Sequence, residues 1–171
     1  LAIPAAAVKH IPEFFGRGRP DVSKGIYKKV LKFGFLMGGV LSVLCIVIST
    51  AISRVLLGND NYQPLIAILS LDVFALLLLS FYNPILAGVK RFKEMSLAGI
   101  ALYAIRYASS IILLAKGYGL MGAVIGWIFG DWVGLALLIF FASTSFQAIQ
   151  KQESYPFKQL IIYSIPVYAS G

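Results

Sequence analysis

Four stretches of this 171-residue chain, residues 33–56, 64–89, 95–115 and 117–146, are each long and apolar enough to cross a bilayer as a helix. A hydrocarbon core about 30 Å thick takes about 20 such residues at a rise of about 1.5 Å each. The remaining composition agrees. Hydrophobic residues make up 59% of the chain and charged residues 13%, where a soluble domain carries about 25% charged residues. The chain is read as an all-α polytopic membrane protein.

Two further apolar runs are incomplete. Residues 1–15 read as the end of a helix whose beginning is missing, and residues 159–171 as the start of a next span. The first eight residues are no signal peptide, since they lack a preceding basic region and a cleavage site. Four complete and two partial transmembrane helices are therefore expected, forming a single bundle fragment. Residues 16–32 form a basic loop and an amphipathic lead-in, and residues 147–158 a second loop.

The net charge of +8 does not point to nucleic acid, because nothing beyond charge supports it. Its distribution orients the chain instead. Apart from Arg54, Lys116 and Arg106, all of the 15 Lys and Arg residues lie in residues 9–32, 90–94 and 147–158, alternate junctions that fall on one side. Cytoplasmic loops carry such an excess, so these junctions are cytoplasmic, residues 54–63 and 116–118 face outside, and the membrane is the cytoplasmic one.

In the lead-in, Asp21 is placed to cap a helix. Val22, Ile26 and Val30 recur every four residues opposite Lys24, Lys28 and Lys32, a pattern for a helix at the lipid surface. Its lysines read as a topology anchor. Pro84 interrupts the second full span, and its missing N–H predicts a kink and a candidate hinge. Gly122, Gly126, Gly130 and Gly134, each four apart, form overlapping small-xxx-small units that let a neighbouring helix approach closely. Gly34, Gly38 and Ser42 make a shorter version. The glycines are not a nucleotide-binding loop, since they follow no strand. No catalytic motif of a soluble enzyme is present, and the chain is not read as an enzyme. His10 reads as interfacial. Cys45 stands alone, so no disulfide, cysteine-based metal site or cofactor is expected.

Three charges lie inside the spans. Counted from the outer ends, Asp72, Arg106 and Asp131 sit about 12, 15 and 20 Å deep. A charge at that depth costs about 2.5–3.5 kcal/mol on insertion scales, so such residues face a bundle interior or wet cavity and pair. Two readings are open. The three form a buried ion network that fixes helix register, or Arg106 faces a cavity and engages an anionic group while the acids orient it or carry protons. Tyr103, Tyr107 and Trp127 accompany them, and suit a sugar, another ring or plain packing.

Two segments carry a resemblance. One is RFKEMSLAGIALYAIRYASSIILLAKGYGLMGAVIGWIFGDW, residues 91–132. The other is KHIPEFFGRGRPDVSKGI, residues 9–26. Together with the order of spans they are similar to the polysaccharide-export branch of the multidrug/oligosaccharidyl-lipid/polysaccharide exporter superfamily. The resemblance implies a parent of about twelve to fourteen helices in two bundles that work by alternating access. It implies a flippase for a lipid-linked oligosaccharide or polysaccharide precursor, with Arg106 on the carrier's pyrophosphate, where a planar guanidinium fits phosphate. One arginine is few for a pyrophosphate, and further partners would come from other helices. The alternatives are a cation- or proton-coupled multidrug antiporter of the same superfamily, with Asp72 or Asp131 as the ion site, and a non-transporting membrane scaffold. The expected partners are the bilayer, a lipid-linked sugar and a coupling ion.

Overall fold

A computed structural model describes residues 10–147 and residue 149. The expected helix end before residue 10, most of the loop over 147–158 and the span beginning at 159 lie outside the described residues. Among those described, the fold is all-helical. Residues 10–16 are the end of α1. Then come α2 (Pro20–Val47), α3 (Ser49–Leu57), a 3₁₀ turn (Asp60–Tyr62), α4 (Gln63–Gly88), α5 (Phe92–Ala115) and α6 (Gly119–Gln147). Four segments are long and apolar enough to cross a membrane: Pro20–Val47, Asp60–Gly88, Phe92–Ala115 and Gly119–Gln147.

α1 ends in a turn closed by Arg19 N donating to Phe14 O (2.9 Å), with Gly18 at φ 72°. This is the left-handed stop that glycine provides without strain. Asp21 is not the cap of α2. Arg19 holds that position and Pro20 opens the helix, because proline's fixed φ suits the first turn and its missing N–H would be unpaired there anyway. Asp21 sits in the first turn, where its charge favours the helix dipole.

The lead-in runs on into the first span as one helix. Val22, Ile26 and Val30 are buried against Ile11, Phe81, Ile85 and Phe146, so this apolar face packs on protein instead of on lipid. The interruption comes later, at Ile48. Its ψ of 6° offsets α3 from α2, while Ile48 N to Leu44 O (3.0 Å) and Ile52 N to Ile48 O (2.9 Å) keep the ladder connected. The stretch 33–56 is thus divided between α2 and α3. α4 continues through Pro84 to Gly88.

The helices pack in the order α2, α4, α6, α5. α4 lies against both α2 and α6, and α5 packs chiefly on α6. At the lysine-rich end the bundle is tied across. Tyr27 of α2 stacks on Phe146 of α6 at 4.5 Å, Lys24 Nζ donates to the Ile149 carbonyl, and Arg91 donates to Thr144 Oγ1 at 3.3 Å.

Candidate functional site

The site is built by the α5–α6 seam. On α5 the buried residues Ala98, Leu102 and Arg106 recur every four positions. They lie against the ridge of Gly122, Gly126, Gly130 and Gly134, all buried on α6. The approach is backbone to backbone. A Cβ added at Gly126 would lie 2.4 Å from Ser110 N, and one at Gly130 would lie 2.5 Å from Arg106 Cβ and 2.6 Å from its Cα. Only glycine allows this spacing. Two serines then bond across it: Ser109 Oγ donates to Gly126 O (2.8 Å) and Ser110 Oγ to Ala123 O (2.9 Å).

That close approach puts Asp131, the neighbour of Gly130, within reach of Arg106. Arg106 Nη2 donates to Asp131 Oδ1, and both side chains are buried. Trp127, one turn before Asp131 on α6, covers the guanidinium, whose Cζ lies 4.2 Å from its ring centre. Tyr103 adds a second ring at 5.3 Å. An arginine so held is bonded on its edge and stacked on its faces.

Asp72 brings in α4. It is buried, and its carboxyl interacts with the Asp131 carboxyl and the Arg106 guanidinium. The structure therefore groups Asp72, Arg106 and Asp131 from three helices. The group is incompletely satisfied: Asp72 Oδ1, Asp131 Oδ2 and Arg106 Nε have no hydrogen-bond partner among the described residues. Beside it, Leu69 of α4 and Leu120, Ala123, Val124 and Trp127 of α6 line an apolar cleft of about 370 Å³. Pro84 is not part of this group. It lies in α4 three turns beyond Asp72, near the lysine-rich end.

Chemically, the site offers a guanidinium for an anion and two carboxylates for a proton or cation. No cluster of three His, Cys, Asp or Glu residues able to hold a metal ion occurs among the described residues. Sequence reasoning missed Ser109 and Ser110. A pair of hydroxyls inside an apolar span, facing a glycine ridge, is the signal that points to them.

Comparison with known proteins gives one family. The model of a polysaccharide biosynthesis protein family matches residues 17–171. No curated protein and no solved structure matches the chain.

Proposed function

The chain belongs to the polysaccharide biosynthesis protein family, and on that premise we propose that it serves in flipping a lipid-linked oligosaccharide or polysaccharide precursor across the cytoplasmic membrane by alternating access. One observation carries the reading beyond the family. A buried arginine, far from either end of its span, keeps its Nε without a hydrogen-bond partner, and Trp127, which covers its guanidinium, also lines an apolar cleft. A structural ion pair has no use for a spare donor, whereas a phosphate group does. In this reading Arg106 exchanges part of its bond with Asp131 for the carrier's pyrophosphate, and other helices supply the remaining donors.

The test is complementation by the full-length gene in a strain lacking its oligosaccharide flippase, with wild type and Arg106→Ala side by side at matched expression. Rescue by wild type alone supports a flippase with Arg106 in its path. Rescue by both keeps the flippase and makes Arg106 dispensable.

A second reading, a cation- or proton-coupled multidrug antiporter, is favoured by the carboxylate pair. Asp72 and Asp131 interact, Asp72 Oδ1 and Asp131 Oδ2 lack hydrogen-bond partners among the described residues, and a proton or small cation between the two carboxylates removes their repulsion. Uptake of an organic cation driven by an imposed proton or sodium gradient, lost in Asp72→Asn, would select this reading. The same pair could serve a flippase as the site of its coupling ion.

A further inference from the structure

α2 and α5 each turn a long face away from the bundle, and the two faces differ in chemistry. On α2 the exposed residues include Leu36, Val40, Val43, Leu44 and Val47. Such a surface carries no polar atom and suits acyl chains. On α5 the exposed residues include Tyr103 and Tyr107, at 54% and 55%. Counted from the Ala115 end, they lie about 18 and 12 Å into the span. Tyrosine in membranes belongs at the headgroup level, where the ring rests on lipid and the hydroxyl meets water. Two phenols near mid-span on an exposed face mark that face as one turned toward something polar.

The arrangement of the rings narrows what that is. Tyr103 and Tyr107 stack with centres 6.4 Å apart and planes 19° from parallel. The Arg106 guanidinium lies against Tyr103 and, on α6, against Trp127, which is itself 44% exposed. Two rings thus lie against one fixed cation, Tyr107 extends the stack from Tyr103, and all three rings remain partly exposed. The face of an aromatic ring carries partial negative charge and attracts the polarised C–H face of a pyranose, while the phenol and indole tips can bond its hydroxyls.

We propose that Tyr103, Tyr107 and Trp127 form a stacking platform for the sugar directly attached to the pyrophosphate. The inference rests on the flippase reading and deepens it. If Arg106 engages the pyrophosphate, the first sugar lies one bond away, next to the Tyr103 and Trp127 rings that flank the guanidinium and the Tyr107 ring stacked on Tyr103.

The experiment compares two short-chain ligands, geranyl pyrophosphate and geranyl pyrophosphate bearing one N-acetylglucosamine, by calorimetry on purified full-length protein. Wild type is expected to bind the sugar-bearing ligand about three- to tenfold more tightly, the range of a single ring stacking contact. Tyr107→Leu should abolish that difference while leaving geranyl pyrophosphate binding in place. Tyr107→Phe, which keeps the ring, should retain most of it. A Tyr107→Leu variant that weakens both ligands equally, or that keeps the full difference, overturns the platform. Equal binding of the two ligands by wild type overturns it while sparing the flippase reading. Binding of neither ligand removes the flippase reading and the platform with it.

Discussion

The α2–α4 and α5–α6 seams use the same sequence device and obtain different structures. Each has small residues every four positions on one helix. On α2, Gly34 and Gly38 receive the side chains of Phe81 and Phe74, with a Cβ clearance of 3.1 and 3.0 Å to the rings. Ser42 then donates to the Ser70 carbonyl at 2.6 Å. On α6, Gly126 and Gly130 receive backbone. A phenylalanine ring can slide a few tenths of an ångström, whereas a helix backbone cannot without moving the whole helix. The α2 seam is thus a cushioned contact and the α6 seam a rigid one. The rigid seam also carries the buried charges, where a small displacement matters most.

The ion pairs differ in the same sense. Arg54 and Asp60, at the end away from the lysines, are 70% and 52% exposed, whereas Arg106 and Asp131 are 9% and 0% exposed. The largest expected effect therefore comes from Asp131→Ala in the full-length protein. Removing one partner of a buried pair costs about 3–5 kcal/mol, less what Asp72, the acid remaining near Arg106, recovers. Asp72→Asn should leave stability unchanged or raise it, since Asp72 is the second acid beside a single base. Thermal unfolding in detergent measures both. Equal losses from the two variants would mean that Arg106 is shared evenly and that the seam is not where the pair is anchored.

Next in size is the glycine test, which addresses the comparison directly. Gly126→Ala places a Cβ 2.4 Å from Ser110 N. Overpacking costs about 1–3 kcal/mol, or more where backbone must shift, and the bonds from Ser109 and Ser110 go with it. We expect a loss near 3 kcal/mol in thermal unfolding. Gly38→Ala meets only the edge of Phe74 at 3.0 Å. Alanine gains about 0.8–1 kcal/mol of helix propensity over glycine, which offsets most of a mild clash, so the net change should stay within about 1 kcal/mol. Similar melting shifts for the two variants would erase the distinction between a cushioned and a rigid seam.

Part of this was legible in the sequence. Helix rise is fixed, so depth can be counted, and counting puts Asp72, Arg106 and Asp131 near one level. The four spans follow from apolar length in the same way. What counting cannot supply is the neighbour. The small-residue pattern on α2 and the one on α6 look alike because the difference lies in Phe74 and Phe81 on one partner and the bare backbone at Arg106 and Ser110 on the other. The lead-in was misjudged for a similar reason. An amphipathic face fits lipid or protein equally well, and only the positions of Ile11, Phe81 and Phe146 decide that Val22, Ile26 and Val30 are covered by protein. The break at Ile48 has no proline or glycine to announce it.

The smallest expected effect closes the comparison from its exposed side. Arg54 grips Asp60 with two hydrogen bonds, Nε to Oδ1 at 3.1 Å and Nη2 to Oδ2 at 2.8 Å, which is good geometry for an ion pair. Geometry alone does not make it strong, because both groups remain in contact with solvent and salt screens them. The turn they bridge has other supports. Ser53 Oγ donates to Asn59 O at 2.6 Å, Asn59 Oδ1 accepts from Asn61 N at 2.9 Å, and Gly58 takes φ 64° without strain. Asp60→Ala should therefore leave the melting temperature unchanged, at low salt as at high salt. A melting shift as large as that of Asp131→Ala would mean that the α3–α4 turn, and not the glycine seam, holds the four spans in register.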